Sequence, residues 1–374
     1  MKEVFIVADN IISPLGNTTP ENFSKLVQNI SAVEQHMNEQ ITDELFFASL
    51  FDENIFKTNQ HYTKFEQLLI ASIEDAIKQT QINPSDKKTL LIISTTKGNI
   101  SLLETNRYND NLKKRIALHT SAKLVADYFH FTNQPLIVSN ACISGLLGIL
   151  TGMRLIQSNQ YGNIIVAGAD VITRFVFSGF QSFQALSKTI CKPFDKSRDG
   201  INLGEGAATV ILSSNKESGN DIKVVSGSVS NDANHISGPS RTGDELFQSI
   251  KKAMHDAGLN SSDINFISAH GTATMYNDEM EAKAITSAKL ETVPVNSLKG
   301  FYGHTLGAAG LIESVISIQS LKQNIVIPTK GFEEIGVSKN INICDKLIQV
   351  QLNNCLKTAS GFGGCNAAVI FSKQ

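Results

Sequence analysis

Three residues far apart in the chain carry groups that could perform covalent chemistry together: Cys142, His270 and His304. Cys142 follows Pro135-Leu136-Ile137-Val138-Ser139-Asn140-Ala141, whose β-branched centre reads as a buried strand, and precedes residues 143–157, which favour a helix. A cysteine at such a strand-to-helix turn meets the unpaired N–H groups and the positive dipole end of the helix. The expectation is a lowered pKa and a nucleophile near neutral pH. A lone cysteine is more often an inert core residue, and either histidine by itself a satisfied structural one, so chemistry here depends on the fold bringing the three together.

An internal repeat supplies that expectation. Ile73 pairs with Ile250, Ala76 with Ala253, Asn83 with Asn260 and Asp86 with Asp263, all at a spacing of 177 residues. At a second spacing of 162 residues Cys142 pairs with His304, Gly145 with Gly307, Gly148 with Gly310, and Ile156-Gln157-Ser158 with Ile318-Gln319-Ser320. Constant spacing across helix, turn and strand implies two copies of one unit, residues 1–215 and 221–374, divided by the polar stretch Ser213 to Asn220. Both helices of the second alignment are almost uncharged over their early turns, so both must be buried on all sides. Gly145, Gly148 and Gly152 in one, and Gly307, Gly310 and Ser314 in the other, are spaced to let two helices approach closely. The pattern predicts an α/β protein in which two related sheets sandwich a central helix pair headed by Cys142 and His304. His270 ends the strand run 264–269 at the place that Thr95 to Lys97 occupy in the first copy, so all three residues face one edge, where α/β proteins bind ligands. Gly361-Phe362-Gly363-Gly364, which alone would be a hairpin turn, could bring backbone N–H groups close to a ligand.

Composition narrows the classes. A net charge of −2 and a pI near 6.5 give no footprint for nucleic acid or an anionic membrane, and no apolar run approaches the roughly 18 residues of a membrane helix. The opening Met1-Lys2-Glu3-Val4-Phe5-Ile6 reads as a strand and not a signal peptide. Five cysteines without a Cys-x-x-Cys spacing point to reduced thiols in a cytoplasm. No P-loop, His-Glu-x-x-His, Gly-x-Ser-x-Gly or full Gly-x-Gly-x-x-Gly is present. Residues 32–61 are irregular to read, and the phenylalanine-dense run Phe175, Phe177, Phe180 and Phe183 reads as core or interface ahead of a pocket wall.

Asn140-Ala141-Cys142, His270-Gly271-Thr272-Ala273-Thr274 with Asn277-Asp278, Asn296 through Gly303-His304 to Gly310, and Gly361-Phe362-Gly363-Gly364 together resemble a β-ketoacyl-[acyl-carrier-protein] synthase of the elongating type. Ser13-Pro14-Leu15-Gly16, Pro193-Phe194-Asp195, Arg198-Asp199-Gly200 and Gly204-Glu205-Gly206-Ala207 fall in the same family order. The resemblance implies a thiolase-like duplicated five-layer αβαβα fold, cytoplasmic and dimeric. It implies an acyltransferase that condenses malonyl thioester with an acyl group held on Cys142, with Phe362 and Cys142 backbone N–H groups as oxyanion hole and His270 and His304 as donors to the enolate. Lys299, paired with Glu313, orders the pocket; Thr272 and Thr274 bind the phosphopantetheine arm; Phe362 gates the acyl pocket; and Asp278, like Glu313, is a supporting residue. No metal or bound cofactor is implied, and the partners are an acyl carrier protein and an identical or homologous subunit. Two departures stand out: Ile201 follows Gly200 where phenylalanine is frequent, and the segment between Gly98 and Cys142 is short. A polyketide or aryl-polyene ketosynthase paired with a chain-length-factor-like subunit is the alternative. A noncatalytic subunit is disfavoured by the Cys, His, His set, a cysteine hydrolase leaves residues 296–310 without a role, and a zinc site from the same three residues is distinguished by elemental analysis.

Overall fold

Aliphatic, β-branched segments bounded by turns become strands throughout this chain. They are β1 (Phe5–Ile12), β2 (Thr89–Ser94), β3 (Leu136–Val138), β4 (Asn163–Asp170), β5 (Gly206–Ser213), β6 (Ile222–Asn231), β7 (Phe266–Ser268), β8 (Val295–Asn296), β9 (Asn354–Gly361) and β10 (Cys365–Ser372). The structure is a computed structural model that describes residues 2–52, 55, 61–233 and 238–373. The strand order is β3-β2-β4-β5-β1-β6-β10-β9-β7-β8. Read outward from the middle, each half has the same order and the same pairing senses. β2 is parallel to β3 and β4, as β7 is to β8 and β9; β4, β5 and β1 run antiparallel in turn, as do β9, β10 and β6.

The sequence predicts two sheets, whereas the structure joins them into one. β1 and β6 pair through Phe5 with Lys223 and Ile6 with Ile222, a two-residue bridge between edge strands that a repeat in the sequence cannot foretell. Side-chain alternation then sorts residues into layers. Leu90, Ile92, Ile164 and Val166 from one half and Phe266, Cys355, Val369 and Phe371 from the other share a core with Leu146 and Ile149 of α3 (Ser144–Gln157) and Ile312 and Val315 of the later helix Ala309–Gln323. Their strand neighbours face outward. Leu91, Ile93 and Ile165 meet α1 (Lys64–Lys78) and α2 (Leu118–Tyr128), while Ile267, Leu356 and Ile370 meet α5 (Asp244–Ala257) and α6 (Met275–Ser287). A shorter helix, α4 (Arg174–Ser182), follows β4, and Ala309–Gln323 is α7.

The central helices α3 and α7 touch through backbone. A Cβ on Gly145 would lie 2.7 Å from Leu311 N, and one on Gly310 would lie 2.9 Å from Leu146 N. Gly148 and Gly152 do not share that role: their missing side chains make room for Val166 and Leu212 of the sheet. Residues 32–61, read as irregular, include a hairpin of Glu34–Asn38 with Thr42–Ser49, and part of this stretch lies outside the described residues. β3 is not the buried strand its composition suggests. It ends the sheet, with Leu136 exposed and Ile137 and Val138 half-buried, because no strand among the described residues covers its outer side.

Candidate active site

The turn after β3 is built to present one side chain. Ala141 adopts a left-handed conformation, φ +44°, which a non-glycine residue enters only at an energetic cost. Ser144, the first residue of α3, locks the turn by donating to Ala141 O at 2.6 Å and accepting from Asn140 N at 2.8 Å. In the second copy Gly303, φ +65°, and a short helical turn at Leu306–Ala308 place His304 before α7. His304 N donates to Asn202 O at 2.7 Å and His304 O accepts from Gly204 N at 3.0 Å. This crossing explains the Gly204-Glu205-Gly206 motif: a Cβ on Gly204 would sit 1.9 Å from Tyr302 O.

The two turns bring Cys142 Sγ and His304 Nε2 to 3.0 Å, and His270 packs edge-on against His304 with ring centroids 5.3 Å apart. The sulfur and one nitrogen from each ring lie within 4.8 Å of one another. Nδ1 of both rings has no hydrogen-bond partner among the described residues. A bare ring nitrogen without a partner costs less than an unpartnered N–H, which assigns both rings as Nε2–H tautomers aimed at the cavity. Burial, reinforced by the Lys299 ammonium, holds both imidazoles well below their ordinary pKa, so they are neutral at pH 7. Burial also pushes the Cys142 thiol up to about 12, with Lys299 and the Phe362 backbone N–H pulling the other way. The sequence-based expectation of a resting thiolate is therefore reversed. The helix start is present, but desolvation of a side chain only 8% exposed outweighs it.

The remaining residues form two groups. Thr272 and Thr274, hydroxyls 2.8 Å apart, line the cavity of about 380 Å³ together with Phe180, Phe183 and Phe362. Phe362 is 40% exposed at the tip of the β9–β10 hairpin, its ring 5.7 Å from Phe180 and 5.4 Å from Phe183. The phenylalanine run is thus divided: Phe177 is core, as expected, whereas Phe180 and Phe183 wall the cavity. Gly361 packs closely on the turn, and a Cβ there would crowd Cys142 N at 3.0 Å. Asp278 accepts from Thr272 N at 2.9 Å and Phe194 N at 2.6 Å, and burial raises its carboxyl to about 7.

Lys299 and Glu313 lie behind the cavity. Lys299 Nζ donates to His270 O at 2.9 Å and pairs with Glu313, which also meets Lys357 Nζ at 2.7 Å. Three residues that sequence reasoning passed over belong here: Lys357, Glu281, and Asp170, which accepts from Thr95 Oγ1 and Gly307 N and so ties the end of β2 to the turn after His304. No short motif surrounds them, although a lysine between Leu356 and Thr358 inside the buried strand β9 was a signal. Glu313→Ala would leave two buried ammonium groups without their carboxylate, and a loss of about 3–5 kcal/mol in stability is expected from urea unfolding.

Paired half-sheets around two central helices, headed by a cysteine and a histidine that meet across the pseudo-symmetry, define a thiolase-like fold. Residues 1–218 match the beta-ketoacyl synthase N-terminal domain and residues 222–333 its C-terminal domain, and the chain belongs to the beta-ketoacyl synthase family. It is 28% identical over 409 residues to 3-oxoacyl-[acyl-carrier-protein] synthase 2 of Staphylococcus aureus (strain N315), spanning 100% of this chain and 98% of that one. A beta-ketoacyl synthase from Burkholderia phymatum STM815 superposes with a TM-score of 0.90 at 22% identity, covering 100% of both chains. A ketosynthase (ApeO) solved in complex with its chain length factor (ApeC) from Xenorhabdus doucetiae gives 0.86 at 25% identity, over 99% of this chain and 98% of that one. The protein is a condensing acyltransferase that uses substrates carried on the phosphopantetheine of acyl carrier protein, with no separate cofactor, in fatty acid or polyketide synthesis.

Proposed function

We propose that Cys142 is the acyl-carrying nucleophile and that His270 and His304 stabilise the enolate formed when a malonyl thioester loses CO2. The observation that carries this reading is the convergence of Cys142 Sγ and a ring nitrogen from each of two neutral histidines at one cavity. In the first half-reaction sulfur attacks the acyl thioester carbonyl, the thiol proton ends on the departing pantetheine sulfur, and the oxyanion is held by Cys142 and Phe362 N–H. His304 Nε2–H, already at the sulfur, stabilises charge as it develops there. In the second half-reaction the malonyl C–C bond breaks, its electrons forming an enolate whose oxygen takes both imidazole N–H groups. The enolate carbon then attacks the acyl-Cys142 carbonyl, and the C–S bond breaks to release a chain two carbons longer and the Cys142 thiolate, which takes up a proton from solvent to return to the thiol. Neutral donors suit this step, because an imidazolium would form an ion pair with the malonyl carboxylate and hold it in the ground state.

Thr272 and Thr274 are positioned to bind the phosphopantetheine arm, and Phe362 to swing between closed and open positions at the mouth. Lys299 has no path to the cavity as a base; its contact is with the His270 carbonyl. The uncovered edge of β3, with exposed Leu136, supports dimerisation with an identical or homologous subunit. The mass of the purified particle, alone and with a co-expressed homologue, decides between them and tests the polyketide alternative. Five free buried cysteines support a reducing cytoplasm, and no helix among the described residues is long and apolar enough to cross a membrane. The decisive experiment is acylation by a panel of acyl carrier protein thioesters followed by malonyl carrier protein, with product identified by mass.

The neutral histidines also predict a pH profile. Lowered pKa values keep the unprotonated ring nitrogens unprotonated as pH falls. CO2 release is therefore expected to stay level from about pH 8 to about pH 6, with no acid limb at the ordinary histidine value near 6.5.

A further inference from the structure

The backbone N–H and carbonyl of His270 are both held by buried charged side chains. Glu281, on α6, accepts from His270 N at 2.8 Å and Gly271 N at 2.6 Å, and Lys299 Nζ donates to His270 O at 2.9 Å. One strand away, Lys357 of β9 donates to Ser268 O at 3.1 Å, Ala269 O at 3.3 Å and Thr358 O at 2.8 Å, and its Nζ stands 2.7 Å from Glu313. Thr358 Oγ1 completes the cluster by donating to Glu281 at 3.1 Å. Lys357 is fully buried on a strand whose neighbours Cys355, Leu356 and Ala359 are core residues. An apolar residue would avoid the desolvation cost there, and Glu313 already has a counterion in Lys299.

We propose that Lys357 is a positioning residue for the decarboxylation half-reaction: it clamps the strand end that aims His270 and balances the charge behind the imidazole ring. The inference rests on the reading of His270 as an enolate donor. The cluster sets two lysines, Lys299 and Lys357, against two glutamates, Glu281 and Glu313; burial draws the Lys357 pKa down and the Glu281 pKa up, and each shift is opposed by a partner in the cluster, so removing Lys357 takes a positive partner away from both carboxyl groups. Besides these, among the described residues, Asp278 at the Thr272 loop, His304 and Cys142 across the cavity, and Asp199 and Asp232 in the cavity lining are titratable groups around His270. Lys357 acts in the same direction as Lys299 in holding His270 neutral. Its loss therefore raises the pH at which the ring protonates.

The test compares Lys357→Met and Lys357→Gln with the wild-type full chain. Cys142 acylation is followed by intact mass, CO2 release from malonyl carrier protein is followed across pH, and folding is checked by thermal unfolding. For Lys357→Met, acylation is expected within about threefold of wild type while CO2 release falls about 10- to 100-fold, the scale of a misplaced enolate donor. Its acid limb is expected to move up toward pH 6.5. Lys357→Gln, which keeps a donor for the strand carbonyls but no charge, is expected to recover part of the rate and none of the shift; it also carries the comparison if the methionine variant does not fold. Equal losses in acylation and CO2 release, or a folded variant within twofold of wild type at every pH, would overturn the proposal. A wild-type enzyme that acylates Cys142 but releases no CO2 would instead overturn the parent reading of the histidines.

Discussion

Cys142→Ala yields no acyl-enzyme with any carrier-protein thioester, and its condensation rate falls by about 10⁴-fold or more, because no other nucleophile can take the chain. Of the remaining cysteines only Cys365 approaches the site, and its Sγ turns toward the carbonyls of Phe362 and Asn140. The fold survives, since the substitution removes one sulfur and leaves the Ser144 lock on the turn intact. Intact mass after acylation gives the answer directly. An adduct of undiminished yield on the alanine variant would place the acyl group on another residue and remove Cys142 from the mechanism.

The second large effect separates the two half-reactions. His270→Ala is expected to reduce CO2 release by about 10²- to 10³-fold, the usual cost of one lost donor to a developing oxyanion, while acylation of Cys142 continues. His304→Ala should lose a similar factor in decarboxylation and slow acylation as well, because its Nε2 touches the sulfur at 3.0 Å whereas His270 does not. The double variant should lose much less than the product of the two factors, since both donors serve one oxygen. Measuring acylation by mass and CO2 release separately distinguishes these outcomes. Equal effects of the two single variants on both steps would rule out the division of labour.

Lys357 and Glu281 show why part of the site escaped sequence reasoning. Each contacts backbone: Glu281 takes the N–H groups of residues 270 and 271, and Lys357 takes the carbonyls of residues 268 and 269. Main-chain atoms carry no sequence signature, so their partners stay invisible until the strands are paired. The two histidines, by contrast, lie beside glycine-rich turns whose spacing is itself informative.

By itself the sequence determined the duplication, the pairing of Cys142 with His304 at the heads of equivalent helices, and the set of residues that gathers at one edge. Those conclusions follow from local rules: the strand and helix periods, and the need to bury two nearly uncharged helices. The tertiary structure alone decided that the half-sheets join through Phe5 and Ile6, that β3 is an uncovered edge, and that Phe180 and Phe183 wall the cavity. It also decided how the Cys142 thiol titrates, through burial that raises its pKa. A helix start favours thiolate, but the cost of desolvating that sulfur depends on how completely the other half of the chain closes over it. Burial is a property of the assembled fold, and no stretch around Cys142 encodes it.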